Sequence, residues 1–180
     1  MNTTTKLSPA AQKFVLHWGE MGTRWGINRT VAQIHALLFI SKEPLPADYI
    51  AETLAIARSN ASTSLRELQN WGIVRVVHVL GDRRDHFESI KDVFEMFRVI
   101  ARERKRRELD PTSDVLRDCI ENAKAKPSDA YTHDRLVDLL SFFELADTAY
   151  VQMERLPTPA LVKLARLGDK ALRLLGVKPK

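Results

Sequence analysis

The sequence predicts a mainly α-helical fold that contains one β-hairpin. Apolar residues recur every three or four positions along most of the 180 residues, which is the period of an amphipathic helix. A β-branched run, Ile73–Val79, interrupts this pattern and is followed by the turn sequence Gly81–Arg84. With 44% hydrophobic and 28% charged residues, and only 7 glycines and 8 prolines, the composition is that of one compact domain or two small ones, not of a disordered chain.

Two helices are predicted near the N-terminus. Ser8 and Pro9 have the form of an N-cap followed by proline at the first helical position, and an apolar stripe continues from there to Trp25. We therefore expect a helix over 9–25 that ends at Gly26. Asn28 then caps a second helix over 29–41, whose apolar residues keep the same spacing.

The following segment predicts two short helices and a hairpin. Pro44 and Pro46 disfavour a helix and indicate a turn. Helices over 47–54 and 59–69 follow, joined by a tight turn at 55–58, and strands over 73–79 and 86–89 come next. A helix pair followed directly by a two-stranded β wing is the layout of a winged helix-turn-helix, which we place at residues 29–91.

Beyond residue 92 the sequence predicts helices only. The first continues through the basic run Arg102–Arg107 and ends near Asp110–Pro111; Asp110 or Thr112 then caps a helix in which Cys119 is expected to be a small buried residue. A break at 126–128 precedes a long helix over 132–155 and a short one over 159–175. The long helix carries a heptad-like seam, which packs either in a core or against a second subunit. The seam residues are Leu136, Leu139, Phe143, Ala146, Tyr150 and Met153.

The second helix of the short pair has side chains of the types that contact DNA. Arginine and asparagine bond to guanine and adenine edges in the major groove, and short hydroxyl side chains allow a helix to approach the duplex closely. The alternative interpretation is an ordinary solvated helix surface. The candidate DNA-binding residues on this helix are Arg58, Ser59, Asn60, Ser62, Thr63 and Arg66.

Two more candidates lie at the hairpin turn. The long side chains of Arg83 and Arg84 can reach phosphates or a narrow minor groove from there. Asp82 and Asp85 flank them and either hold the arginines in place or neutralise a solvated turn. The net charge of +5 is spread thinly along the chain, so the DNA-binding prediction depends on placement. We interpret the run Arg102–Arg107 as a solvated connector, with a second phosphate-binding patch as the alternative.

Signatures of other functions are missing from the sequence. There is no Gly-rich phosphate loop and no nucleophile elbow. Only His78 and His86, on the two wing strands, could face each other, and two ligands do not make a zinc site. We therefore expect a protein that is not an enzyme and takes no metal or cofactor. No apolar run approaches the ~18 to 20 residues of a bilayer span, and Met1–Leu7 is polar, so we expect a cytoplasmic protein with no membrane partner.

Several segments resemble one known family. They are Trp18–Gly22, Trp25–Leu38, Ala57–Leu68, Trp71–Val74 and Gly81–Phe87. Over about residues 10–105 the chain resembles the GbsR-type branch of the MarR family of bacterial transcriptional regulators. Some members of this branch regulate choline and glycine betaine uptake or synthesis, a role that the matched segments do not carry over. The C-terminal part is similar to the family only in its helical character.

The resemblance implies a winged-helix homodimer that binds double-stranded DNA at a palindromic operator, usually as a repressor. By position, the recognition helix contains Ser59–Leu68 and the wing tip is Asp82–Asp85. The family dimerises through its N- and C-terminal helices, which correspond to residues 1–28 and, after a helical connector, to the rest of 92–180. The candidate dimerisation residues are Phe14, Trp18, Leu136, Leu139, Phe143, Ala146 and Tyr150.

A small-molecule effector is a further expectation, and its identity is open. Trp18, Trp25 and Trp71 could form an aromatic box for a quaternary ammonium compound, because such cations bind over ring faces. Core packing is the favoured interpretation, since Trp18 and Trp25 lie on an apolar stripe. The alternative function is a winged-helix protein-interaction module without sequence-specific DNA binding, which a weak response to salt would distinguish.

Overall fold

The computed structural model describes residues 7–124 and 130–168. The chain divides into two compact units, one that ends at Ala101 and one that begins at Arg102. The first unit contains helices, strands and most of the buried core, and the described part of the second is helical.

The first unit begins with the two predicted helices. Helix α1 spans Pro9–Arg24, and the Ser8 hydroxyl accepts a hydrogen bond from the Ala11 amide at 3.2 Å. Gly26 follows with a φ of +75°, which a residue with a side chain rarely adopts. Helix α2 spans Arg29–Ile40, and the Asn28 side chain caps it by accepting from the Thr30 amide at 2.8 Å. Both helices and both caps confirm the sequence prediction.

The helix pair and the wing follow in the predicted order. Helix α3 spans Ala47–Thr53 and helix α4 spans Arg58–Asn70. Between them Ala55 has a φ of 52°, which turns the chain sharply. Strands β2, Val74–His78, and β3, Asp85–Ser89, pair in antiparallel fashion with Val76 opposite Phe87. The arrangement is a winged helix-turn-helix.

The prediction of a two-stranded wing and a simple turn at Pro44–Pro46 was wrong in one respect. Leu45–Pro46 forms a short strand, β1, that pairs with β3 and makes a three-stranded sheet in the order β1-β3-β2. Proline is acceptable here because β1 is an edge strand, where a residue without an N–H group need not interrupt the ladder.

The core of the first unit is built around α2. Its fully buried side chains come from α2, α3, α4 and the segment before β2, so the helix pair and the start of the wing share one core. They are Val31, Ile34, Leu37, Leu38, Ile50, Leu65, Leu68 and Ile73.

Helix α5, Val93–Arg104, leads into a helical region that does not end where the sequence predicted. A π-helical turn spans Lys105–Leu109, and helix α6 continues over Asp110–Lys124. Pro111 would normally interrupt the helical hydrogen bonds, since it has no N–H group to donate to the carbonyl oxygen of Arg107. The wider turn accommodates it, with the Asp110 amide donating to the Lys105 carbonyl. Thr112 is therefore inside the helix and not a cap; its hydroxyl donates to the Glu108 carbonyl at 2.6 Å.

Helix α7, Ala130–Arg155, packs along α6, and helix α8 spans Thr158–Arg166. Leu116, Ile120 and Ala123 are the buried residues of α6. Cys119 is exposed, so the prediction of a buried cysteine was wrong: it lies to one side of the stripe that these three residues form. The predicted break at 126–128 and the end of the last predicted helix, beyond 168, lie outside the described residues.

Candidate nucleic-acid interface

Helix α4 separates its buried and exposed residues as the sequence predicted. Ala61, Ser64, Leu65 and Leu68 are buried against the first unit's core. All the candidate DNA-binding residues of this helix are exposed, namely Arg58, Ser59, Asn60, Ser62, Thr63 and Arg66. The structure thus places them together on the solvent side of one helix.

The helix geometry shows which of these candidates lie farthest from the buried face of α4. At about 100° per residue, the stripe directly opposite the buried face is Ser59, Thr63 and Arg66, with Arg58 and Asn60 on its two flanks. The exposed Asn70 continues this stripe by one more turn. Sequence reasoning missed Asn70 because it ended the helix at residue 69; the spacing of 59, 63, 66 and 70 was the available signal.

The start of α4 has no side-chain cap. Ala57 occupies the N-cap position, and no side chain bonds to the first amide groups of α4 within the described residues. Uncapped amides at a helix N-terminus carry partial positive charge and donate readily to phosphate oxygens. This end of α4 is therefore suited to a DNA backbone, next to the side chains that face away from the core.

The wing tip contains an ionic cluster around Arg84. Its guanidinium donates to Asp82 at 2.6 Å and, from another nitrogen, to Asp48 at 2.9 Å. The backbone amide of Arg84 also donates to Asp82, at 3.0 Å. These bonds from Arg84 hold the pKa of Asp82 far below its usual range. Of the two interpretations of Asp82, the structure shows the one in which it holds an arginine.

The neighbouring residues of the turn behave differently. Arg83 is exposed and forms no hydrogen bond or ion pair with any residue that the structure describes. Asp85 pairs with neither arginine. Its Oδ1 atom lies 3.9 Å from Nδ1 of the exposed His78 across the hairpin. His86 is buried and pairs in register with Val77, so the idea that His78 and His86 face each other was wrong.

The basic run at 102–107 is largely neutralised by carboxylates of its own unit. Arg102 pairs with Glu154 at 2.6 Å, and Lys105 bridges Asp110 and Asp147 at 2.7 and 2.8 Å. Further pairs involve Glu103 and Glu108 with Arg104, Arg106 and Arg107. The pairing favours the connector interpretation over a second phosphate-binding patch.

The candidate dimerisation residues fall into two groups. Phe14 and Trp18 are half-buried against the first unit's core, with ring centroids 5.5 Å apart. On α7, Leu136, Phe143, Ala146 and Tyr150 are half-buried and Leu139 is 44% exposed. The most exposed large apolar side chains near the centre of α7 are Phe142 and Leu145, which the predicted seam did not include.

The three tryptophans line one cavity in the first unit, together with His35. Its volume is about 20 Å³, room for roughly one water molecule. Trp18 and Trp25 meet edge to face at 6.5 Å, so part of their surface is used in mutual packing. A quaternary ammonium compound does not fit this arrangement. Trp18 and Trp71 pack against the core, whereas Trp25 is 40% exposed, so the prediction of core packing was wrong for Trp25.

Within 7–124 and 130–168, no three His, Cys, Asp or Glu side chains come close enough to hold a metal ion. None of the helices described is both long and apolar enough to cross a bilayer.

A polar recognition helix beside a β wing defines the class of winged helix-turn-helix proteins. Residues 25–85, which hold α2, the helix pair and most of the wing, match the family model described as MarR family. A solved structure described as the crystal structure of a transcriptional regulator is similar in fold, with a TM-score of 0.59 and 20% identity over 82% of this chain and 100% of that one. No curated protein matches the chain. The family match covers the helix pair and most of the wing, and the likeness to the solved structure is one of fold.

Proposed function

We propose that the protein is a sequence-specific transcriptional regulator that binds a palindromic operator as a homodimer, acts as a repressor in the cytoplasm, and belongs to the GbsR-type branch. The observation that carries this proposal is the exposed face of α4. Its polar residues point away from the core, and low-propensity Ser, Asn and Thr residues are concentrated there although they contribute little to the helix itself.

The chemistry of the stripe suggests how bases are read. Arg66, in the middle of the exposed stripe, has the planar fork that pairs with the O6 and N7 atoms of guanine. Ser59 and Thr63 are short enough to let the helix backbone approach the groove floor. Arg58 and Asn60, on the flanks, are placed for phosphates or for the edge of a neighbouring base.

The homodimer would present two recognition helices related by the same two-fold symmetry as the palindromic operator. Two recognition helices about 34–36 Å apart fit successive major grooves on one side of the duplex. An effector that prefers a different spacing would weaken DNA binding by its difference in affinity for the two arrangements. A small-molecule effector that acts in this way is part of the proposed function.

The experiment is selection of bound fragments from sheared host DNA by the purified protein, followed by affinity measurement over a series of salt concentrations. We expect an enriched palindrome and an affinity that falls steeply with salt, since each neutralised phosphate contributes a slope of about −0.9 in log K against log salt. Arg66→Ala should relax base preference at one position of each half-site, with a loss of about 1–3 kcal/mol.

Arg155→Ala is the matched control, because Arg155 is an exposed arginine on α7, outside the proposed interface. It should leave the recovered sequence unchanged. Recovery of no enriched sequence, together with binding that barely responds to salt, would contradict the proposal and favour the protein-interaction module.

A further inference from the structure

A cleft lies between α6 and α7 in the second unit. Its volume is about 480 Å³, within the range of small-molecule sites in proteins. The π-helical turn contributes Lys105 and Leu109 to its lining, so the turn that accommodates Pro111 also shapes the cleft. Phe143 of α7 lines it as well and, with Leu109, gives it an apolar surface.

Lys105 forms the first of two ionic bridges across this cleft. Its ammonium group bonds to Asp110, the first residue of α6, at 2.7 Å and to Asp147 of α7 at 2.8 Å. Both carboxylates are about half exposed. Lys105 contacts only Oδ1 of each, and Oδ2 accepts from no residue that the structure describes. The bridge therefore has one negative charge in excess and two unused acceptor oxygens.

Arg117 forms the second bridge with the same composition. It bonds to Asp114 of α6 at 3.0 Å and lies 3.7 Å from Glu144 of α7. Each of these carboxylates again presents a second oxygen that takes no hydrogen bond from the described residues. The two bridges together leave the cleft with two negative charges in excess.

The two bridges are about one helical turn apart. Asp110 and Asp114 are four positions apart on α6, about 6 Å along the helix axis. Glu144 and Asp147 are three positions apart on α7, about 4.5 Å along its axis. The excess negative charge is thus spread along the cleft and not concentrated at one point.

This distribution of charge narrows the class of ligand. An anion is disfavoured, because both cations of the cleft are already paired and the excess charge is negative. A metal ion is disfavoured, because no three carboxylate or imidazole groups converge anywhere in the described residues. An extended organic cation fits the spacing and the apolar lining, and N–H groups on it would use the available carboxylate oxygens.

We propose that the cleft binds a short aliphatic diamine in its doubly protonated form, with one ammonium group at each ionic bridge and the hydrocarbon chain against Phe143 and Leu109. Its two positive charges balance the two excess negative charges. The ammonium groups donate to the second carboxylate oxygens, so neither bridge has to break. Binding here does not depend on binding of DNA, and its test is separate from that of the proposed function.

Isothermal titration calorimetry of the full chain with 1,4-diaminobutane tests the proposal. Both amino groups are protonated at about pH 7.5, since alkyl ammonium groups lose their proton near pH 10. We expect saturable binding of one molecule per chain. 1-Aminobutane has one ammonium group, and the fully methylated diamine has two charges but no N–H group, so both should bind several-fold more weakly. Equal affinity for all three compounds, or a heat that sodium chloride of the same ionic strength reproduces, would overturn the proposal.

Carboxylate substitutions distinguish binding in the cleft from attraction to an acidic surface. Glu144→Gln with Asp147→Asn removes the α7 partner from both bridges, while each cation keeps its partner on α6. This variant should bind 1,4-diaminobutane no better than the wild type binds 1-aminobutane. Asp134→Asn with Asp138→Asn is the charge-matched control, because both residues are exposed on α7 and do not line the cleft. It should leave the affinity unchanged.

Ser113→Leu tests the cleft without a change of charge. Ser113 lines the cleft and donates to the Leu109 carbonyl at 3.1 Å, so leucine occupies part of the space and is the better helix former. Diamine binding should be lost while the helix content, measured by circular dichroism, is kept. Ser141→Leu is the matched control, since Ser141 is exposed on α7 and donates to the Val137 carbonyl at 2.9 Å in the same way. Undiminished binding by Ser113→Leu or by the double carboxylate variant would show that the diamine is held elsewhere and would overturn the proposal.

Discussion

Gly22 on α1 lies so close to Ala32 on α2 that a β-carbon added at position 22 would be 2.4 Å from the Ala32 β-carbon. No pair of real β-carbons approaches to this distance, so a side chain at position 22 must push the two helices apart. The neighbouring Gly19 is similarly close to Gln33. The contact between the two N-terminal helices therefore depends on the absence of a side chain.

Gly22→Ala should destabilise the protein by about 1–3 kcal/mol, the usual cost of overpacking, even though alanine is the better helix former. Denaturant unfolding monitored by tryptophan fluorescence measures this. Gly168→Ala is the control, because no atom of the described residues lies within 4 Å of the added β-carbon and φ there is not positive. Equal stability of the Gly22→Ala variant and the wild type would show that α1 and α2 can separate without cost.

Lys91 supports the end of α2 from the segment after the wing. Its ammonium group donates to the carbonyl oxygens of Leu38, Phe39 and Ser41 at 2.8, 3.1 and 2.6 Å. A positive charge at a helix C-terminus is favourable both through these bonds and through the helix dipole. Lys91→Met should therefore lower the free energy of unfolding by about 1–3 kcal/mol.

Lys42→Met is the matched control for Lys91, since Lys42 is exposed and forms no hydrogen bond or ion pair with any residue that the structure describes. In chemical denaturation, Lys91→Met should have a clearly lower free energy of unfolding than Lys42→Met. A Lys91→Met protein as stable as the Lys42→Met protein would mean that water replaces the ammonium group at these carbonyls without loss.

His35 gives the first unit a predictable response to acid. Burial, helped by the positive charge of Lys91, lowers the pKa of His35 to about 4 from 6.5. In the unfolded chain the imidazole takes up its proton near pH 6.5, whereas in the folded protein it stays neutral to about pH 4. The contribution of neutral His35 to the free energy of unfolding is therefore fully present above pH 6.5. It is lost as the pH falls from 6.5 towards 4.

The expected loss from His35 is about 2 kcal/mol between pH 7 and pH 5, measured as free energy of unfolding in urea. His35→Phe should remove this part of the pH dependence and keep the packing. His17→Gln, at an exposed position of α1, should leave it in place. An unchanged pH dependence in His35→Phe would show that another group carries it.

The exposed face of α4 could be predicted from the sequence, because a period of 3.6 residues fixes which side chains share a side once the buried ones are known. The partners of Arg84 could not be predicted from the sequence. Asp48 lies far from Arg84 along the chain, and only the docking of the wing against α3 brings them together. Strand β1 was missed for the same reason: two residues have no periodicity, and their strand character comes from pairing with Phe87 and His86.

Helix α7 shows a different limit of prediction from the sequence. Its apolar residues are too many for a single partner, and the sequence does not say which of them face α6. In the structure Phe143 lines a cleft between α6 and α7 with Leu109 and Ser113. Phe142 and Leu145 are instead 65% and 69% exposed. The predicted seam thus includes Phe143, which lies between α6 and α7, and omits the two most exposed apolar residues of the outer side.

This division predicts different outcomes for substitutions on α7. In the proposed homodimer, Phe142→Arg with Leu145→Arg places charges on the outer face and should yield folded monomers, because apolar exposed side chains of this size are the natural contacts for a second copy. Phe143→Arg buries a charge within the α6–α7 pair and should instead reduce helicity and thermal stability. Light scattering gives the subunit number and circular dichroism gives the helix content. A folded dimer that survives the double substitution on the outer face would exclude this face of α7 as the dimer interface, and would leave Phe14 and Trp18 of α1 as the residues to test next.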